Sequence, residues 1–256
     1  RGVALATLIA QGISAVISFA LLMRKLKGYR EEKKVRLYSG EMAASMVKIA
    51  VPSTLQQSIV HVGILLVQAV INSFGSTALA GYSAGMRIES LSIVPMLAMG
   101  NAMSTFTAQN MGAGNIDRVK KGYQMCYVIV LTAGAVLCIM YQLAGGMFVS
   151  LFLDSGSSEA YNIGLSYVRF LSFFYSFIGL KASTDGLLRG AGDVVAFTVA
   201  NLVNLAIRVS VTNLFAPVYG IQVAWMAVPL GWAANYVISF GWYLTGKWKN
   251  VRVIRK

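Results

Sequence analysis

Acidic residues are scarce in this sequence, nine against 22 lysines and arginines over 256 positions. Histidine is scarcer still: His61 stands alone, so no set of imidazoles can hold a metal ion. The two cysteines, Cys126 and Cys138, fall on one predicted helix about 18 Å apart at 1.5 Å per residue. That is too far for a disulfide, and both are assigned to packing. No HExxH or CxxC occurs, the GYSAG at 81–85 falls inside a predicted apolar helix and not on the strand-to-helix turn of a nucleophile elbow, and His61 has no obvious catalytic partner, so neither an enzyme nor a bound cofactor is expected. Charge of either sign is thin, 12% of residues, where an ordinary soluble domain carries about a quarter. With 57% hydrophobic residues and a mean hydropathy of +0.65, the chain cannot hide its apolar surface by folding on itself in water.

The alternative solvent is a bilayer, whose hydrocarbon thickness asks for about 20 apolar residues per helix. Seven stretches qualify: roughly 3–23, 51–73, 79–111, 122–144, 163–188, 194–216 and 221–245. The fold class expected is an all-α integral membrane bundle of seven transmembrane helices. In a soluble protein a net charge of +13 would suggest nucleic acid, but its placement points elsewhere. Arg24, Lys25, Lys27, Arg30, Lys33, Lys34 and Arg36 lie between the first two stretches, Arg118, Lys120 and Lys121 between the third and fourth, Arg189 after the fifth, and Lys247, Lys249, Arg252, Arg255 and Lys256 after the last. The intervening connections, 74–78, 142–162 and 217–220, hold no Lys or Arg. By the positive-inside rule the basic loops and the carboxy terminus are cytoplasmic, in a multi-pass protein of the plasma membrane. The partners expected are therefore the lipid bilayer and no nucleic acid. The chain has no initiator Met, and Arg1 precedes a spanning stretch without a signal-peptide cleavage pattern, so it is expected to be the later part of a longer protein.

Several predicted helices carry polar stripes. At 100° per residue, Ser53, Thr54, Gln57, His61, Gln68 and Asn72 share one flank of the second, opposite Ile, Leu and Val. Cavity lining and interhelix hydrogen bonding both account for such a stripe. Residues 42–51 ahead of it read as a short interfacial helix, with Pro52 placed to open or kink the next one. The third helix carries Arg87 and Glu89, which are two apart and so need separate partners. Asn201, Asn204, Arg208 and Thr212 share a face of the sixth. In the fifth, Lys181, Asp185 and Arg189 form an i, i+4 ladder. Residues 145–154 read as a short amphipathic piece at the outer surface, and Trp242 and Trp248 as an aromatic belt at the inner one. The run 103–121, MSTFTAQNMGAGNIDRVKK, reads as a helix turning at Gly112 and Gly114 into a basic loop.

Four segments, 109–121 (QNMGAGNIDRVKK), 186–193 (GLLRGAGD), 52–57 (PSTLQQ) and 72–80 (NSFGSTALA), resemble the second half of a multidrug and toxic compound extrusion (MATE) transporter. The likeness covers essentially the whole chain, with the motifs in order and on the corresponding helix ends. It implies residues 1–23 as the last transmembrane helix of an amino-terminal lobe, 24–41 as a cytoplasmic linker, 42–246 as a six-helix carboxy-terminal lobe and 247–256 as a basic tail. It further implies export of small organic, often cationic, compounds in exchange for Na+ or H+ as coupling ion, with the missing amino-terminal lobe as partner. The substrate wall would include Gln57, His61, Gln68, Asn72, Asn201 and Asn204, with Arg87, Glu89 and Arg208 as buried coupling charges. Gln109, Asn110, Gly112, Gly114, Asp185, Arg189 and Gly190 are structural and topology elements on this reading. A glutamate that sodium-coupled members carry two turns past the helix proline is replaced here by Val60 beside His61, leaving the coupling ion open. A flippase for lipid-linked oligosaccharides, of the same superfamily, is the alternative within transport. A seven-helix receptor or an intramembrane enzyme is the alternative outside it.

Overall fold

The computed structural model describes residues 2–26, 40–154 and 158–250. The expected linker lies largely, and the end of the basic tail wholly, outside them. Among the described residues eight α-helices occur in order: α1 (Gly2–Leu26), α2 (Gly40–Asn72), α3 (Ser76–Gly112), α4 (Ile116–Ser150), α5 (Glu159–Ser172), α6 (Tyr175–Gly190), α7 (Val194–Tyr219) and α8 (Gln222–Leu244), then a 3₁₀ turn, Lys247–Asn250. No strand occurs among the described residues. They divide into two compact units, Arg1–Val51 and Pro52–Lys256.

Among the described residues five helices are long and apolar enough to cross a membrane, and α5 with α6, taken as one bent span, makes a sixth. The remaining expected span is α2, whose apolar part, Ser58–Asn72, is shorter but ends a helix of 33 residues. Three expectations need correction. Residues 42–51 are not a separate interfacial helix, because α2 runs unbroken through Pro52. Nor do residues 145–154 form a piece of their own: α4 continues to Ser150, with Gly145 buried against Leu165 and Arg169 of α5. Two adjacent glycines signal a break in sequence; here the missing side chain lets α5 come close.

The third correction concerns the predicted fifth helix, which is broken into α5 and α6 at a bend of 54°. No proline or glycine marks the break. Instead the Phe174 amide donates to the Leu171 carbonyl three residues back, at 2.9 Å. The Arg169 carbonyl accepts from Gln142 Nε2 of α4 at 2.8 Å and from Ser172 Oγ at 2.7 Å. Side chains that take over a helix carbonyl bend the helix.

The core lies among α3, α5, α6 and α8, where Ile88, Met96, Tyr167, Leu171, Tyr175, Leu187, Leu188, Trp225 and Val228 are buried. On α4, Val128, Leu131, Val136, Ile139 and Leu143 are exposed, an apolar outer face suited to lipid. At the α3 and α6 contact a Cβ at Gly186 would fall on the Gly100 carbonyl oxygen, and one at Gly190 on that of Ser104. Gly190, expected to be a turn residue, is thus a packing residue. The turn belongs to Gly192.

Two turns repeat one hydrogen-bond pattern. After α3, Asn115 N donates to Asn110 O at 2.8 Å and Gly114 N to Met111 O at 3.0 Å; after α6, Asp193 N donates to Leu188 O at 2.9 Å and Gly192 N to Arg189 O at 3.0 Å. Each is a helix end closed by a left-handed glycine, with φ of +74° at Gly114 and +83° at Gly192. Gly114→Ala is expected to cost about 1–2 kcal/mol, the steric price of a Cβ in that conformation. Thermal unfolding of the full-length protein in detergent would register it.

Candidate functional site

A cleft of about 180 Å³ opens between α2, α3 and α7, walled by Gln68 on α2, Tyr82, Glu89 and Ser90 on α3, and Arg208 on α7. Ile64, Val67, Met86 and Ile93 complete it. Glu89 is 8% exposed, and its Oε2 accepts a hydrogen bond from the Tyr167 hydroxyl of α5. Tyr167 is itself fixed by edge contacts to Tyr82 and Trp225, with ring centroids 5.3 Å and 5.7 Å away. Arg208 of α7 is half-buried and lines the same cleft. A carboxylate oriented by a phenol therefore shares a cleft with a guanidinium inside a bundle of apolar helices. A charge at such depth costs roughly 2.5–3.5 kcal/mol on insertion scales unless it is matched, and the Tyr167 hydroxyl supplies the hydrogen bond to Glu89.

The sequence candidates divide among several places. Gln68, Glu89 and Arg208 meet at the cleft. Gln68 Nε2 also donates to Asn72 Oδ1 at 3.1 Å, but Asn72 and His61 are exposed and do not line the cleft. The side chains of Ser53 and Gln57 lie outside the described ones. Arg87, two residues from Glu89, is exposed and sits over the Phe152 ring, 5.9 Å from its centroid. Asn204 turns to α8 instead: its Oδ1 is buried against Gly231 with no hydrogen-bond partner among the described residues.

Asn201 belongs to a second cluster. Asp185 Oδ2 accepts from Lys181 Nζ at 3.0 Å and from Asn201 Nδ2 at 3.3 Å, while Asp185 Oδ1 accepts from Ser239 Oγ at 2.7 Å. The expected ladder has only its first rung. Arg189 turns away from Asp185 to Asn101 Oδ1 at 2.8 Å, with its guanidinium 5.7 Å from the Phe197 ring centroid. Asn201 and Ser239 offer the carboxylate neutral donors from α7 and α8, which leaves Arg189 free for α3.

The topology residues behave as caps and contacts. Gln109 O accepts from Ala113 N at 3.1 Å, Asn110 is buried with Nδ2 on Phe106 O at 2.7 Å, and Gly112 stands in open space. Asp193 caps α7 and accepts from Trp242 Nε1 at 2.6 Å. Trp248, expected in an interfacial belt, is fully buried and stacked on Tyr243 with centroids 5.6 Å apart. Sequence reasoning missed Tyr167 and Ser239. The available signal was that a carboxylate at membrane depth needs a donor, and phenols and hydroxyls on neighbouring helices are donors that a search for charges passes over.

The fold defines a multi-pass helical membrane protein with charged residues buried among its apolar helices. A family model, MatE, matches residues 52–214, and the chain belongs to that family; it is not an enzyme. Probable multidrug resistance protein YpnP of Bacillus subtilis is 27% identical over 254 residues, covering 98% of this chain and 56% of that protein. Probable multidrug resistance protein NorM of Thermotoga maritima is 20% identical over 266 residues, 100% of this chain and 55% of its own. The chain thus spans about half the length of these relatives. Among solved structures, an outward-facing multidrug resistance MATE transporter of the MOP superfamily aligns with a TM-score of 0.75 at 20% identity, over 86% of this chain and 50% of that one. A MOP superfamily transporter from Pyrococcus furiosus, described as having a binding pocket of reverse polarity, aligns at 0.74 and 20%, over 84% and 49%.

Proposed function

We propose that this chain supplies the last helix of one lobe and the whole carboxy-terminal lobe of a secondary active exporter of small organic, often cationic, compounds, driven by inward Na+ or H+ movement. The basic loops lie on the cytoplasmic side of the plasma membrane, and the upstream lobe completes the cavity. The observation that carries this reading is the Glu89 and Arg208 pair lining one cleft between α2, α3 and α7. A carboxylate there binds either a coupling cation or a cationic substrate, and Arg208 restores neutrality when it is empty. Competition between the two cations for one carboxylate is the physical basis of exchange.

The test is efflux of a fluorescent organic cation by the full-length protein in vesicles, with sodium and proton gradients imposed separately. Glu89→Gln is expected to slow efflux about tenfold, roughly 1.4 kcal/mol in barrier, with insertion unchanged. Undiminished efflux removes the cleft from the mechanism. Arg208→Gln decides between substrate charges. If it spares cation efflux, Arg208 is a counter-charge; if instead the protein moves anionic lipid-linked sugars and the variant loses that, the flippase reading replaces export.

A further inference from the structure

Asp185 lies five residues before the end of α6 at Gly190, Ser239 five before the end of α8 at Leu244, and Asn201 seven after the start of α7 at Val194. At 1.5 Å per residue each is about 8–10 Å inside its helix, so three elements bring polar groups to one depth. The residues are enclosed, with Asp185 4% and Ser239 and Asn235 0% exposed. Lys181 Nζ sits 3.0 Å from Asp185 Oδ2 and 3.1 Å from Asn201 Oδ1, held by a carboxylate and an amide oxygen as an alkali-metal ion would be.

Asn235 adds a second observation. Its Nδ2 is buried without a hydrogen-bond partner, while its Oδ1 lies 3.4 Å from Ser239 Oγ. The single Ser239 proton is given to Asp185 at 2.7 Å, so Asn235 must turn its amide to donate to that hydroxyl, leaving its oxygen to face elsewhere. One amide orientation serves a hydrogen bond, and the other presents an oxygen toward Ser239, the residue that donates to the carboxylate. The charge count fixes the class of ligand. One carboxylate among neutral oxygens balances one positive charge, and no group of three or more His, Cys, Asp or Glu occurs among the described residues. A divalent ion would be left uncompensated.

We infer that Asp185, Asn201, Ser239 and Asn235 form a monovalent-cation site whose resident cation is the Lys181 ammonium. Tethered on α6, that ammonium excludes sodium and potassium, so the site adds no ion dependence to the intact protein. The inference stands apart from the Glu89 cleft, which shares none of these residues.

Thermal unfolding of the full-length protein tests it, in sodium, potassium or choline chloride at equal ionic strength. Lys181→Met should lower the midpoint in choline and recover at least about 3 °C of it in sodium or potassium, beyond any response of the wild type. The Lys181→Met, Asp185→Asn double variant should lose that extra response. Lys181→Arg, which keeps the charge, should never acquire it. A folded Lys181→Met indifferent to all three salts overturns the inference. So does a response that survives Asp185→Asn. Should Lys181→Met not fold in choline, its recovery in alkali-metal salt supports the site, and failure in every salt counts against it. A sodium response common to wild type and all variants belongs to another site, such as the Glu89 cleft, and with no excess in Lys181→Met it counts against this one.

Discussion

Gly186→Leu is expected to leave no folded lobe, and Gly186→Ala to cost about 1–3 kcal/mol, the usual cost of overpacking. The reason is the closeness of two backbones. A Cβ at Gly186 lands on the Gly100 carbonyl oxygen, and one at Gly100 would land on the Ala182 carbonyl, so α3 and α6 touch main chain to main chain. A flexible side chain could swing aside, whereas a carbonyl inside a helix cannot move without breaking its own hydrogen bond. Separating the helices by one side chain would also part Met96 from Gly179 and displace Leu187 and Leu188, all in the core. In lipid there is no hydrophobic force to restore the contact, because van der Waals packing between helices supplies the association. Gly241→Ala, where nothing lies within 4 Å, is the control. It should be neutral, or stabilising by up to about 1 kcal/mol through helix propensity. Yield and thermal midpoint in detergent measure both. Equal midpoints for Gly186→Leu and wild type would show that the helices do not approach as described.

These glycines also show where the sequence stops being informative. GAG followed by Asn or Asp marks a helix end, and both such turns are present, with Gly114 and Gly192 in the left-handed conformation. Gly186 and Gly190 sit in the same run, yet they face a partner more than eighty residues upstream. Hydropathy located the apolar segments because length and composition are local properties. The break between α5 and α6 was hidden because its cause, Gln142, lies on another helix, 27 residues from the carbonyl it captures. Likewise Glu89 and Arg208 were each conspicuous as charges in apolar helices, while their sharing of one cleft depends on how α3 and α7 pack. Of the polar stripe on α2, Gln68 lines the cleft, while His61 and Asn72 are exposed beyond it. Periodicity gives a flank, and neighbours decide how much of that flank they cover.

Tyr167→Phe is expected to destabilise the protein by about 3 kcal/mol, more than the loss of one hydrogen bond between neutral groups. Among the described residues the Tyr167 hydroxyl supplies the hydrogen bond to the Glu89 carboxylate, and Glu89 is only 8% exposed. The phenylalanine keeps the ring against Tyr82 and Trp225, so packing is unchanged and the cost is that of a stranded buried acceptor. If that account holds, adding Glu89→Leu to Tyr167→Phe should return most of the lost stability, since removing both partners leaves nothing unsatisfied. The same double variant should not export. The two measurements, thermal midpoint and vesicle efflux, would then move in opposite directions on going from the single to the double variant. That pattern separates a charge retained for transport from one retained for the fold. A Tyr167→Phe protein with the wild-type midpoint would mean that cleft water already satisfies Glu89, making the carboxylate directly accessible to an incoming cation.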